Sequence, residues 1–94
     1  MSEVREIKVT NDVGLHARPA AVFVKTAAGF SADVRLQNLT RESPTVNAKS
    51  ILSVLSAGVE QNHRIRLTAD GEDAHEALEA LCALIESNFK QAEA

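Results

Sequence analysis

Aromatic side chains are scarce in this sequence. Its 94 residues include no tryptophan, no tyrosine and only three phenylalanines. Surfaces that bind single-stranded nucleic acid stack bases on aromatic rings, and nucleic-acid-binding domains are basic, whereas the formal net charge here is −3. We therefore expect no nucleic acid partner. The core must consist mainly of Val, Leu, Ile and Ala, with Phe23, Phe30 and Phe89 as its largest side chains.

Cysteine and long apolar runs are also nearly absent. Cys82 is the only cysteine, so no intrachain disulfide can form, and its place in an apolar helical pattern favours a small core residue over a reactive thiol. No apolar run approaches the roughly 20 residues of a membrane-spanning helix, and no signal-peptide pattern is present. We expect a soluble, cytoplasmic protein without direct membrane binding, folded as one domain over residues 1–94.

Charges of opposite sign are separated along the chain. Residues 16–49 carry five Lys or Arg side chains and two carboxylates, whereas the chain from residue 72 onward is predominantly acidic. A basic region on an acidic protein fits an acidic protein partner or a phosphorylated ligand. Accidental clustering on a solvated surface is the alternative interpretation.

Residues 14–20, Gly-Leu-His-Ala-Arg-Pro-Ala, place a histidine where an apolar stretch ends and a helix begins. Gly14 allows a sharp turn, and Pro19 suits the first turn of a helix. The first N–H groups of a helix have no partner within it, and the helix dipole adds partial positive charge, so this position favours an anion. The guanidinium of Arg18 matches phosphate geometry. His16 and Arg18 are therefore candidate residues of a phosphoryl-accepting site.

Hydrophobic periodicity predicts seven elements in the order βαββαβα. Apolar residues that alternate with a period of two indicate strands, and apolar residues on one face with a period near 3.6 indicate helices. The predicted strands cover residues 4–10, 32–37, 45–47 and 64–69, and the predicted helices cover 17–28, 51–57 and 73–89. Because such strands are buried on one face only, we expect an α+β fold with a four-stranded antiparallel sheet and three helices on one face.

Cap and turn residues mark the bounds of these elements. The Ser50 hydroxyl is the predicted N-cap of the second helix, and Gly29 and Gly58 end the first and second helices. Asp73, with Glu76 three residues later, is similar to a capping box at the start of the last helix. Residues 38–44 form a polar connection between the second and third strands.

Two motifs carry a family resemblance. The first is residues 14–20, and the second is residues 46–52, Val-Asn-Ala-Lys-Ser-Ile-Leu, followed by Gly58. With these motifs at this separation, the chain resembles HPr, the histidine-containing phosphocarrier family of the bacterial phosphoenolpyruvate-dependent sugar phosphotransferase system, over nearly its whole length. The resemblance implies the open-faced β-sandwich of that family.

The resemblance also implies a function for His16. Its Nδ1 atom would accept a phosphoryl group from enzyme I and pass it to a sugar-specific A domain of enzyme II, with Ala17 and Arg18 binding the phosphate. Such a protein is a stoichiometric carrier with a phosphohistidine intermediate, not an enzyme, and we expect a monomer without a cofactor. The three histidines show no metal-ligand spacing, so we expect no metal.

The segment from Lys49 to Leu52 resembles the regulatory phosphorylation site of some family members. The resemblance implies that an HPr kinase/phosphorylase modifies Ser50 and that a transcriptional regulator binds the modified chain. A helix N-terminus tolerates the added negative charge, so the effect would fall on partner binding. An ordinary helix cap beside a lysine is the alternative interpretation.

A docking surface around these two sites follows from the same resemblance, with an apolar centre and a basic rim that several partners can share. Its predicted members are Ala17, Ala21, Val24, Lys25, Lys49, Ile51, Leu52 and Leu55.

Other functions stay open at this point. One is the same carrier chemistry in a regulatory branch of nitrogen or dihydroxyacetone metabolism, and another is a protein-interaction module of this fold without phosphoryl chemistry. The sequence does not identify the sugar or the A domain that is served. The connection at residues 38–44 is about three residues longer than the tight hairpin of the family, which leaves the bounds of the third strand open.

Overall fold

The computed structural model describes residues 2–90, and within them it has four strands and three helices in the predicted order. The strands are β1 (Ser2–Lys8), β2 (Asp33–Asn38), β3 (Val46–Asn47) and β4 (Arg64–Asp70). The helices are α1 (Ala17–Ala28), α2 (Ile51–Ser56) and α3 (Ala74–Glu86).

The strands form one antiparallel sheet in the order β1-β4-β2-β3. In the central strand β4, Ile65 pairs with Ile7 of β1, and Leu67 pairs with Leu36 of β2. Alternate residues of β4 are fully buried, and those between them are exposed or partly exposed. One face of the sheet therefore supports the helices while the other meets solvent. The predicted fold class, a four-stranded antiparallel sheet with three helices, is confirmed.

The hydrophobic core lies between the sheet and the helices. α1 packs against α2 and α3, and α3 lies across β1, β4 and β2. The largest fully buried side chains include Phe23 of α1, Leu36 of β2 and Leu78 of α3. Phe89, beyond the end of α3, folds back and is also buried. Within residues 2–90, no helix has the length and apolar character needed to cross a membrane.

Cys82 lies at the edge of this core. It is half-buried and packs against the buried cluster from α3. Burial raises the pKa of its thiol, which disfavours the reactive thiolate at neutral pH. The side chain thus packs as a small apolar residue, although the core covers it only in part.

The first strand is displaced from its predicted bounds of 4–10. β1 ends at Lys8, and Val9 then bonds outside the regular ladder. Its N–H donates to the carbonyl of His63 at 2.8 Å, and its carbonyl accepts from the N–H of Asn62 at 2.6 Å. Val9 is nevertheless fully buried. The alternation of apolar residues reflects which residues are buried. Because burial continues past the end of β1, the alternation placed the end of the strand too late.

The capping box predicted for the last helix is wrong. Asp73 is the N-cap residue of α3 by position, but its side chain makes no cap hydrogen bond. The carboxylate accepts instead from the backbone N–H groups of Ser31 and Ala32, each at 2.8 Å. The hydrogen bond from Ser31 is the main reason that the pKa of Asp73 lies below its usual value, and the bond from Ala32 adds to it. Asp73 therefore ties the start of α3 to the start of β2.

The polar connection predicted at residues 38–44 begins one residue later. Asn38 is the last residue of β2 and is fully buried. Its Nδ2 donates to the carbonyl of Ala57 at 3.0 Å, and its Oδ1 accepts from the N–H of Arg41 at 3.2 Å. These bonds replace those to water, which allows a polar side chain to be buried. β3 covers two residues of the predicted 45–47.

Candidate functional site

His16 lies where the loop after β1 enters α1. It is the N-cap residue of α1, with extended backbone (φ −127°, ψ 164°), and its side chain makes no capping hydrogen bond. The N–H of Ala20 donates to its carbonyl at 3.5 Å. The residue is partly exposed. The structure thus places the imidazole at a helix N-terminus, in reach of solvent.

The residue after His16 has an unusual backbone conformation. Ala17 has φ +52°, in the left-handed region that residues other than glycine rarely adopt. This conformation costs about 1–2 kcal/mol and persists only where surrounding contacts fix it. Strained backbone of this kind clusters at functional sites, which supports His16 as the centre of this one.

The loop before α1 packs on a turn at residues 59–63, which we call the 59–63 turn. Leu15 is fully buried, and its N–H donates to the carbonyl of Val59 at 2.9 Å. Gly14 has φ +63°, and a Cβ there would lie 2.3 Å from the carbonyl oxygen of Val59 and 2.6 Å from Cα of Glu60. Only glycine allows both this conformation and this approach.

Residues of the loop and of the 59–63 turn together line an open cleft of about 580 Å³, and His16 is one of the lining residues. The other lining residues are Asp12, Val13, Glu60, Gln61 and His63. Sequence reasoning missed this second wall, because the 59–63 turn contains no motif and only the folded sheet brings it beside His16. His63 lies in the loop between α2 and β4, and in the sequence it stood out only as one of three histidines without metal-ligand spacing.

Arg18 is exposed and lines a neighbouring cavity of about 460 Å³ rather than the His16 cleft. The walls of that cavity include Pro19 and Lys90. Asp12 and Val13 line both spaces, so the two adjoin. The guanidinium and the imidazole are thus at adjoining spaces near one helix end.

Ser50 is the N-cap residue of α2, as predicted. Its hydroxyl oxygen accepts from the N–H of Ser53 at 3.3 Å, and the residue is partly exposed. The preceding Lys49 is also partly buried, and its Nζ donates to the carbonyl of Phe30 at 2.7 Å. This bond holds the ammonium group near the end of α1, so Lys49 contributes less to a free basic rim than the sequence indicates.

The side chains predicted for the docking surface are mostly at the surface. Leu52 of α2 is 76% exposed, and Ile51 and Leu55 are 40% and 37% exposed. On α1, Ala17, Ala21 and Lys25 are exposed and Val24 is partly buried. Val13, at the His16 cleft, adds an exposed apolar side chain that the sequence did not indicate. Large apolar side chains grouped at a surface are typical of protein interaction sites.

The remaining histidine, His75, lies on the exposed side of α3. Its Nδ1 is 3.1 Å from Oε1 of Glu3, and its Nε2 is 3.7 Å from Oε1 of Glu79. In the part of the chain that the structure describes, no three His, Cys, Asp or Glu side chains are grouped so that they could hold a metal ion.

Comparison with known proteins identifies the family. Residues 4–87 match the family model described as the PTS HPr component phosphorylation site. The chain belongs to the HPr family. A phosphocarrier protein HPr from Xylella fastidiosa is 43% identical over 86 residues, which cover 92% of this chain and 93% of that protein. The predicted family resemblance is confirmed.

Solved HPr structures share the fold. HPr from Thermoanaerobacter tengcongensis superposes with a TM-score of 0.88 at 45% identity, covering 93% of this chain and 94% of that one. HPr from Bacillus anthracis gives a TM-score of 0.84 at 40% identity and covers 89% of this chain and 96% of that one. At these identities the chain resembles these proteins in sequence as well as in the arrangement of strands and helices.

HPr-like sequence also occurs within longer proteins. A multiphosphoryl transfer protein from Haemophilus influenzae is 48% identical over 73 residues, which cover 78% of this chain but only 15% of that protein. The chain therefore spans a small part of such relatives and nearly the whole of an HPr.

Proposed function

We propose that this chain carries a phosphoryl group on Nδ1 of His16 between two proteins of the phosphotransferase system. The observation that carries the proposal is a partly exposed imidazole at the N-terminus of α1, lining a cleft that is open to solvent. The match to a family model named for a phosphorylation site includes this residue. Enzyme I would supply the group, and an A domain of enzyme II would receive it.

The transfer needs the neutral form of His16. The lone pair on Nδ1 attacks phosphorus, the new P–N bond forms as the bond from phosphorus to the donor atom breaks, and the donor atom keeps that electron pair. The proton on Nε2 stays in place. Passing the group to the acceptor repeats the same exchange with the roles reversed.

The helix N-terminus would stabilise the bound phosphate only modestly, by about 0.3–1 kcal/mol and at most about 2 kcal/mol. Weak stabilisation suits a carrier, because a tightly bound intermediate would be slow to leave. The cleft is also lined by Asp12 and Glu60, whose carboxylates oppose a phosphate. Arg18 would therefore neutralise charge by moving from the adjoining cavity onto the phosphoryl group in each complex.

The exposed apolar side chains of α2 support docking of both partners beside His16. A carrier with this surface needs no catalytic machinery of its own, since positioning and charge neutralisation arise in each complex. The cytoplasmic location expected from the family resemblance is part of this proposal.

Incubation with phosphoenolpyruvate and enzyme I tests the proposal. We expect acid-labile phosphate on the wild-type chain, none on His16→Ala, and wild-type incorporation on His75→Ala, which removes the exposed imidazole of α3. Acid-stable label, or label on His16→Ala, would contradict it. Transfer of the label to a sugar-specific A domain would indicate the sugar branch, and transfer to a nitrogen-branch A domain would indicate the regulatory branch. A chain that takes up no label at all would favour an interaction module.

Arg18→Lys tests the role of the guanidinium. Loss of the bidentate contact should slow phosphoryl transfer to and from His16 by about 10- to 100-fold. Arg35→Lys, at an exposed arginine that pairs with Asp33 on the open face of the sheet, is the control and should transfer at the wild-type rate. Equal rates for Arg18→Lys and the control would exclude a direct role for Arg18.

We extend the proposal to regulation at Ser50, a partly exposed residue two positions before the exposed Leu52. Phosphate there would bring about −1.5 to −2 charges to the docking surface and weaken binding of an acidic partner. With ATP and HPr kinase/phosphorylase, we expect acid-stable label on the wild-type chain and on Ser56→Ala, and none on Ser50→Ala. An unlabelled wild-type chain would leave Ser50 as a helix cap only.

A further inference from the structure

The ring of His63 joins the 59–63 turn to the interior. His63 is partly buried and lines the His16 cleft. Its Nδ1 lies 3.1 Å from the backbone nitrogen of Glu60 and 3.1 Å from Nδ2 of Asn38. One ring nitrogen is therefore within hydrogen-bond distance of two nitrogen atoms.

Both of these nitrogens are donors. The backbone N–H of Glu60 can only donate. The amide of Asn38 has a fixed orientation, because its Oδ1 accepts from the N–H of Arg41 at 3.2 Å while its Nδ2 faces the carbonyl oxygens of Ala57 and Gly58 at 3.0 and 3.3 Å. Nδ1 of His63 must therefore supply a lone pair, which leaves the proton of the neutral ring on Nε2.

The turn held by this ring supports the loop that precedes α1. The carbonyl of Val59 accepts from the N–H of Leu15 at 2.9 Å. Gly14 lies so close to Glu60 that a Cβ on Gly14 would be 2.6 Å from Cα of Glu60. A shift of the turn would therefore be transmitted to this loop, because closely packed backbone has no room to absorb it.

We propose that His63 is a positioning residue for His16. Its Nδ1 lone pair fixes Glu60 and the fully buried Asn38, and thereby the surface on which the nucleophile's loop packs. The inference rests on the proposed function for its kinetic consequence, since misplacing a reacting group by about 1 Å can cost about 10²-fold in rate. The hydrogen bonds themselves do not depend on that function.

The tautomer can be measured on the wild-type chain. Long-range ¹H–¹⁵N correlation spectra, recorded where the ring is neutral, should show a pyridine-type Nδ1 and a pyrrole-type Nε2 for His63. A protonated Nδ1 would overturn the proposal without any substitution.

Two variants distinguish the effect of losing the hydrogen-bond acceptor at Nδ1 from the effect of losing the rest of the imidazole ring. His63→Leu removes the acceptor, whereas the Oδ1 of Asn in His63→Asn can occupy nearly the same place as Nδ1. Amide exchange at Glu60 and Leu15 should rise by about 10-fold or more in His63→Leu and by less than about threefold in His63→Asn. His75→Leu, which changes the exposed imidazole of α3, should leave both amides unchanged. Unchanged exchange in His63→Leu would overturn the proposal.

Kinetics of His16 phosphorylation by enzyme I supply the final readout. His63→Leu should lower kcat by about 10-fold with KM within about twofold, because the docking surface on α1 and α2 is not altered, and His63→Asn should restore most of the rate. A rise in KM with unchanged kcat would overturn positioning. A wild-type chain that enzyme I does not phosphorylate would overturn the proposed function instead, while the tautomer and exchange measurements would still decide whether His63 fixes the turn.

Discussion

Two left-handed backbone positions flank His16, and they differ in what they tolerate. Gly14 has φ +63° and Ala17 has φ +52°. At Gly14 the backbone of the 59–63 turn occupies the space of a side chain, so glycine is required there. At Ala17 a methyl group is accommodated in an exposed position, and the chain accepts local strain at the start of α1. The backbone around His16 is thus closely packed where it meets the 59–63 turn, and it is strained where it enters α1.

Gly14→Ala should lower the free energy of unfolding by at least about 1–3 kcal/mol, since the new Cβ adds a backbone clash to the cost of positive φ. The measurement is urea unfolding. Gly29→Ala is the matched control, because Gly29 ends α1 with φ −74° and its nearest neighbour to a new Cβ is 3.3 Å away. That variant should stay within about 1 kcal/mol of the wild type. Similar losses in both variants would contradict the account of Gly14.

At the scale of elements, the tie between α3 and β2 depends on one ionised carboxylate. Asp73 accepts from two backbone N–H groups, and the stronger effect of the bond from Ser31 keeps its pKa below the usual 3.8. Because the folded state binds this proton less readily than the unfolded state, the carboxylate stabilises the fold at pH values above 3.8. The contribution is lost as pH falls through the lowered pKa.

Asp73→Asn should therefore be less stable than the wild type at neutral pH, and the difference should shrink as pH falls below the usual aspartate range. The urea midpoint, followed from neutral to acidic pH, measures this. Asp33→Asn, which changes a half-exposed carboxylate on the open face of the sheet, is the control and should show a small difference at every pH. A difference for Asp73→Asn that does not vary with pH would rule out the ionised carboxylate as the tie.

Local sequence patterns predicted the elements well, because the spacing of apolar residues reports which face of a segment is buried. Both the helix at residues 17–28 and the cap at Ser50 were predictable, because each depends on residues within four positions along the sequence. The patterns failed where a polar side chain finds its partner far along the chain. Asp73 bonds to Ser31, 42 residues away, and that pairing exists only in the folded sheet.

The same limit applies to the candidate site. His16 lies in a local motif, so its place at the start of α1 was predictable. His63 lies 47 positions further along the chain, and the antiparallel pairing of β1 with β4 brings the 59–63 turn to the His16 cleft. Turn residues of this kind show no hydrophobic periodicity. The sequence therefore gives no signal that the 59–63 turn forms the second wall of the site.

At the scale of the whole molecule, the exposed large apolar side chains of residues 2–90 lie on α2, at the His16 cleft and on the edge strand β1. Ile51, Leu52 and Leu55 are exposed on α2, which packs beside α1, whereas Val4 is 55% exposed on the edge strand β1. If His16 carries the phosphoryl group as proposed, a partner that receives the group must cover the N-terminal end of α1. The α2 surface lies on a helix that packs against α1, whereas Val4 lies on an edge strand of the sheet, so we expect α2 and not Val4 to contact such a partner.

Leu52→Ala should raise KM for phosphorylation by enzyme I by about 5- to 30-fold, equivalent to about 1–2 kcal/mol of binding, with little change in kcat. Its stability should match the wild type, because a side chain that is 76% exposed has little burial to lose. Val4→Ala removes a similarly exposed apolar side chain and should leave KM unchanged. If both variants raised KM equally, the effect would come from general surface hydrophobicity, and α2 would not be the docking element beside His16.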